Sequence, residues 1–107
     1  MKVVGVTACP TGIAHTYMAA ETLENECKRR GFDVKIETQG SLGPENELTQ
    51  DDIDSADIVV LAVGIVIEGM ERFEDALVLN EDVNKAITNP KEIIDEAVVL
   101  IEKHKQG

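Results

Sequence analysis

The sequence predicts an α/β domain: a three-layer open sheet of four mainly parallel strands with helices on both faces, Rossmann-like or flavodoxin-like in layout. Three observations lead there. Strand-like and helix-like patterns alternate along the chain. Asp57-Ile58-Val59-Val60-Leu61-Ala62-Val63 is apolar throughout after one acid, as in a strand buried on both faces of a parallel sheet. A loop of small residues, Cys9-Pro10-Thr11-Gly12-Ile13-Ala14-His15-Thr16, separates the first strand pattern from the first helix pattern. That loop falls at a strand's carboxyl end, where open α/β sheets bind their ligands.

The elements follow in order. Val3–Thr7 is a β-rich run. A helix spans about Ile13 to Arg30, with Ala20, Leu23 and Cys27 on its buried face. Lys28, Arg29 and Arg30 suit its negative end, and Gly31 is the expected stop. Asp33–Thr38 alternates and reads as the second strand. Gln39–Leu48, with Gly40, Gly43 and Pro44, reads as a loop. Thr49-Gln50-Asp51-Asp52 resembles a capping box and opens a short helix. Strand three is Asp57–Val63. Gly64–Phe73 is a loop with one helical turn, and Ala76–Leu79 the fourth strand. Asn89-Pro90-Lys91-Glu92 starts the last helix with a cap, a proline and an N3 acid. That helix runs to about Lys105 and buries Ile94, Ala97, Val98 and Ile101.

The bulk numbers fit one domain over residues 1–107. The core must be aliphatic, because aromatics are 3% of the chain and tryptophan is absent. A net charge of −11 argues against binding nucleic acid or anionic lipid by the whole surface. A local anion site remains open, since backbone N–H groups build one without Lys or Arg. The longest apolar run, Ile58–Ile67, falls well short of the ~20 residues that span a bilayer, so no direct membrane insertion is expected. The dense acids Glu45, Glu47, Asp51, Asp52, Asp54 and Asp57 lack an EF-hand pattern and read as a solvated face. No His or Cys spacing suggests zinc. Neither a metal nor an organic cofactor is expected. Cys9 and Cys27 should not be bridged. The helix carries Cys27 roughly 18 Å away, and a disulfide needs Cα atoms within about 7 Å.

Residues 9–16 hold most of the chemical information. Gly12 lets backbone approach a ligand closely. N–H groups of the loop and first helical turn would converge above Cys9 and bind a tetrahedral anion. The same setting stabilises a thiolate, which is the nucleophilic form of cysteine. Thr11 and Thr16 offer hydroxyls to the sulfur or to phosphoryl oxygens. On these residues alone, Cys9 is either such a nucleophile or a small buried hydrophobe at a strand end. His15 either caps the first helical turn or hydrogen-bonds phosphate. Tyr17 and Met18 cover the loop or pack inward.

Val6–Glu21, together with Glu37-Thr38-Gln39-Gly40-Ser41-Leu42-Gly43 and Glu45-Asn46-Glu47-Leu48-Thr49, closely resembles the fructose-type enzyme IIB component of the bacterial phosphotransferase system. Ala56-Asp57-Ile58-Val59 and Glu71-Arg72-Phe73 extend the likeness. The resemblance implies that Cys9 accepts a phosphoryl group from a phosphohistidine on a IIA component. It implies that Pro10–Thr16 cradle the group, and that Cys9 passes it to a sugar, fructose or fructose-like, held by the membrane-embedded IIC component. It also implies a cytoplasmic domain, peripheral at the inner face of the membrane through IIC. The chain departs from the family at Gly64–Met70, with glycine at 64 where members usually carry an acid and one residue more before Glu71-Arg72-Phe73. That loop should lie close to Cys9, and the departure bears on partner or sugar preference.

Two rivals share the architecture. Cysteine-dependent phosphatases and arsenate reductases carry Cys, five residues, Arg, then Ser or Thr; here Cys9 is followed after five residues by His15 and Thr16. Histidine does not supply the bidentate fork that arginine offers the transition-state oxygens. A flavodoxin-like binding module would want aromatic cover for its flavin, and the chain has a single tyrosine.

Overall fold

Strand β1 (Lys2–Ala8) lies at the middle of the sheet, and every residue from Val3 to Ala8 is buried. The computed structural model describes residues 1–10, 13–40 and 43–106, with side chains at all of these but Ile13 and Gln106. β1 pairs in parallel with β2 (Asp33–Gly40) on one side and β4 (Ile58–Val63) on the other. Beyond β4 runs parallel β5 (Val78–Glu81), and beyond β2 runs antiparallel β3 (Gly43–Glu45). The order is β3-β2-β1-β4-β5.

Side-chain alternation sets the layers. Val3, Ile58, Val60 and Ala62 face α1 (Ile13–Arg29), α3 (Val83–Thr88) and α4 (Pro90–Gln106). Val4, Val6, Val59 and Leu61 face α2 (Gln50–Ser55) and a 3-10 turn at Met70–Phe73, where Leu48, Ile53, Ile67 and Phe73 complete the packing. Gly5 is required at the sheet's centre, because a Cβ there would stand 2.6 Å from the Val60 carbonyl oxygen.

The helix signals act as expected. At the end of α1, Gly31 takes φ +77°. Phe32 N–H donates to the Cys27 carbonyl at 2.9 Å and Gly31 N–H to that of Lys28 at 3.0 Å, which is a Schellman stop. Thr49 and Asp52 form a full capping box, and the Asn89 side chain accepts from Glu92 N–H at 3.4 Å.

Three expectations change. The sheet has five strands rather than four. Gly43–Glu45, within the expected loop, turns back as an edge strand on β2, with Gly43 at φ +88°. Pro44 is tolerated because an edge strand does not need every N–H in the ladder. The fourth parallel strand begins at Val78 rather than Ala76, although the Leu77 carbonyl already accepts from Val59 N–H. Helix α3 was not foreseen; it is six residues long, started by the Asp82 side chain accepting from Asn84 N–H.

One polar contact ties the sheet to the layer above it. Glu37 on β2 is 1% exposed. Its carboxylate accepts from Arg72 Nη1 at 2.8 Å and Nη2 at 3.1 Å, from Gln39 Nε2 at 2.7 Å and from Leu48 N–H at 2.8 Å. Burial, the largest single influence, pushes the Glu37 carboxyl up. The hydrogen bonds from Arg72, Gln39 and Leu48 together outweigh it and hold the carboxyl below its ordinary value.

Because the native value is depressed, this stabilisation is present above the unfolded value near 4.3 and is lost as pH falls through the native one. Arg72→Ala should cost about 3–5 kcal/mol, since it leaves a buried carboxylate without its cation. Urea unfolding at neutral pH checks this. The gap between wild type and variant should narrow on acidification below about pH 4.

Candidate functional site

Cys9 is the first residue past β1, half-buried, at the end of the central strand. Thr16, on the first turn of α1, holds it there. The Cys9 N–H donates to Thr16 Oγ1 at 3.2 Å, and Thr7 Oγ1 donates to the Thr16 carbonyl at 3.0 Å. Thr16 is 1% exposed, and its hydroxyl oxygen braces the loop through this bond. This use of Thr16 was not foreseen. A Thr spaced seven residues from a strand-end Cys carries no bracing signal until the helix folds back over the strand.

His15 projects to solvent beside the thiol, its Nδ1 3.9 Å from Cys9 Sγ. Ala14 and Pro10 are exposed on the same rim. Thr11, Gly12 and the Ile13 side chain, all expected in the cradle, lie outside the described residues and side chains. Tyr17 and Met18 do not pack inward, being 40% and 47% exposed. The Tyr17 hydroxyl is hydrogen-bonded to Glu45, whose carboxylate raises the phenol's pKa.

The loop after β4 arrives on the other side of Cys9, as its sequence position predicted. Gly64 N–H donates to the Ala8 carbonyl at 2.8 Å. A Cβ at Gly64 would sit 2.9 Å from Pro10 Cδ. Glycine at 64 therefore lets this loop close directly on the Cys9 loop, where a larger side chain would force Pro10 away.

Cys27 has the opposite character. It is fully buried in the α1 face of the core, and burial pushes its thiol up to about 12. No disulfide links it to Cys9. The dense acids are spoken for in part: Asp52 accepts from Lys35 at 2.8 Å and caps α2. A groove of about 490 Å³ does open on the protein, but it is lined by Asp57, Ile58, Glu74, Asp75 and His104, at the start of β4 and hence at the far end of the strands from Cys9. No helix among the described residues is long and apolar enough to cross a membrane.

The fold and site together define an α/β domain that presents one accessible thiol at the head of a helix. Comparison with known proteins then identifies the family. A family model described as "PTS system, Lactose/Cellobiose specific IIB subunit" matches residues 4–96. The "PTS system fructose-like EIIB component 2" of Escherichia coli K12 is 47% identical over 95 residues, covering 89% of this chain and 90% of that protein. The solution structure of the "Enzyme IIB subunit of PTS system" from Escherichia coli K12 superimposes with a TM-score of 0.89 at 41% identity, covering 97% of this chain and 96% of that one. The "PTS system fructose-specific EIIABC component" of Bacillus subtilis is 43% identical over 97 residues, which are 91% of this chain and 15% of that protein. The chain belongs to the IIB family of the phosphotransferase system, whose members are phosphotransferase components of sugar uptake.

Two outcomes follow from this geometry. A thiol-alkylating reagent near neutral pH should modify Cys9 and leave Cys27 untouched in the folded protein, as read by peptide mass mapping. Thr16→Val should lower stability by about 1–3 kcal/mol in urea unfolding, because it takes the acceptor away from the Cys9 N–H.

Proposed function

We propose that Cys9 is the phosphoacceptor of a two-step relay, taking a phosphoryl group from a phosphohistidine on a IIA component and passing it to a sugar bound by a membrane-embedded IIC component. The observation that carries this reading is the position of Cys9, half-buried at the carboxyl end of the central strand and ahead of α1, with His15 Nδ1 3.9 Å from its sulfur.

In the first step the Cys9 thiolate attacks phosphorus. The S–P bond forms and the P–N bond breaks. The electron pair returns to the donor imidazole, which leaves neutral once it holds one proton. Loop and first-turn N–H groups of residues 11–16 hold the phosphoryl oxygens during transfer. Pro10 takes no part in this, having no N–H, and the Cys9 N–H is already given to Thr16. In the second step a sugar hydroxyl attacks phosphorus, the S–P bond breaks, and the hydroxyl proton passes to a base on the partner. Cys9 returns as thiolate.

Fructose, or a fructose-like sugar, is the proposed substrate. The family model's description names lactose and cellobiose, but the relative matching at 47% over most of both chains is fructose-like. Identity of 47% over most of both chains is the stronger guide to the sugar. The fused Bacillus subtilis relative supports IIA and IIC as partners. On this reading the domain works in the cytoplasm, peripheral at the inner face of the membrane through IIC.

The test is intact-mass spectrometry of the domain after incubation with phosphoenolpyruvate and the general and IIA phosphocarrier proteins near neutral pH. Wild type should gain one phosphoryl mass and Cys9→Ser should gain none. An unmodified wild type that instead hydrolyses an aryl phosphate would turn the reading to a phosphatase.

A further inference from the structure

The relay leaves one proton unassigned, the one on the Cys9 sulfur. The thiolate is the attacking form, and an unassisted cysteine is only about a few per cent thiolate near neutral pH. A base beside the sulfur would remove that proton. Among the side chains of residues 9–16 only His15 is such a base, the rest beyond Cys9 being proline, threonine, glycine, isoleucine and alanine. The loop that closes from the other side is fastened by Gly64 N–H to the Ala8 carbonyl at 2.8 Å. Gln39 holds its far end, its Oε1 accepting from Glu68 N–H at 2.8 Å and its Nε2 donating to the Glu68 carbonyl at 3.0 Å. Between these ties runs Gly64-Ile65-Val66-Ile67, which has no titratable side chain.

His15 stands where that base is needed. It lies on the first turn of α1, and its Nδ1 is 3.9 Å from Cys9 Sγ. Catalytic hydrogen bonds are often longer in the free protein than in the reacting complex. The ring is exposed, so it can meet an incoming phosphoryl group as well as the sulfur. A helix N-terminus favours an anion and disfavours a cation. A proton on His15 is therefore held best while its neighbour is negative, as a thiolate or a phosphoryl group is.

We propose that His15 is a second catalytic residue, whose Nδ1 takes the proton of the Cys9 thiol and keeps it beside the sulfur for the length of the relay. This rests on Cys9 being the phosphoacceptor. In the first step the S–H proton passes to Nδ1 and its electron pair stays on sulfur. The sulfur then attacks, the S–P bond forms, and the P–N pair returns to the donor imidazole. While the phosphocysteine lasts, the imidazolium of His15 donates its Nδ1–H to the phosphoryl group and offsets part of its charge. In the second step the sugar oxygen attacks and its proton goes to the partner's base. The S–P pair returns to sulfur, which leaves as a thiolate facing Nδ1–H. The proton is stored and never consumed, so the pair is ready for the next donor.

The experiment measures kcat and KM for phosphoryl transfer from the phosphorylated IIA component to Cys9. Two readouts of the thiol run beside it: the rate of Cys9 alkylation by iodoacetamide, and thiolate ultraviolet absorbance with Cys9→Ser as the blank. Wild type is compared with His15→Ala, His15→Gln and the control His104→Ala, which lies at the far end of the strands. His15→Ala and His15→Gln should each lower kcat about tenfold or more, with KM within about twofold of wild type. Both should alkylate more slowly and lose thiolate absorbance. Glutamine keeps an N–H donor but does not hold the proton, so it separates proton transfer from hydrogen bonding. His104→Ala should match wild type. Because His15 is exposed, all variants should melt with wild type. A wild-type kcat or alkylation rate in His15→Ala, or full transfer by His15→Gln, overturns the proposal, while transfer to wild type leaves the Cys9 reading standing. A wild type that accepts no phosphoryl group overturns both.

Discussion

The Glu37–Arg72 ion pair is the contact that ties the layers together toward the carboxyl end of the parallel strands. Its partners are 35 residues apart, one on β2 and one in the 3-10 turn after β4. A carboxylate 1% exposed has no water to fall back on, so it must be met by hydrogen bonds from the protein. Arg72, Gln39 and Leu48 N–H supply them, and Arg72 spends its remaining donors on the carbonyls of Leu48, Glu68 and Gly69. One guanidinium thus joins β2, the stretch before α2 and the β4 loop. The charge pair matters less for net stability than for where it forces these three segments to meet.

The Cys9 end of the sheet is built from two loops of different kinds. The first is braced from within. Thr16 returns along α1 to accept the Cys9 N–H, and Thr7 reaches up to the Thr16 carbonyl. The thiol is therefore held in register with β1 while its sulfur stays beside the exposed His15. The second loop is braced from without, by Gln39 and Arg72, and closes on the first at Gly64 and Pro10. The thiol is thus accessible yet accurately placed. Anchoring the backbone on both sides and leaving the outer side chains to solvent achieves both.

The Cys9 loop itself carries no basic side chain other than His15. The ten Lys and Arg residues all lie outside residues 9–16. Arg72, Arg30, Lys35 and Lys85 are paired with carboxylates. Helix-terminal N–H groups hold an anion with partial charges. An arginine at the position of His15 would offer an anion a bidentate fork that an imidazole does not.

Sequence by itself determined the parts of this protein that rest on local pattern. Strand alternation, the buried run Ile58–Val63, the capping residues Thr49, Asp52 and Asn89, and the glycine stop at Gly31 depend on neighbours within a few positions, so the α/β layering and the placing of Cys9 at a strand end were readable. The family resemblance rested on longer blocks, among them Val6–Glu21 and Glu71-Arg72-Phe73. Tertiary structure alone decided the rest. It turned Gly43–Glu45 into a fifth strand, because an edge accepts a proline that a central strand would refuse. It added α3, whose six residues are too few to show a helical period. It bonded the Thr16 hydroxyl to the Cys9 N–H, set Glu37 against Arg72, and closed Gly64 on Pro10. Each of these joins residues whose spacing carries no periodic signal, and a hydrogen bond between distant segments exists only once the sheet has brought them together.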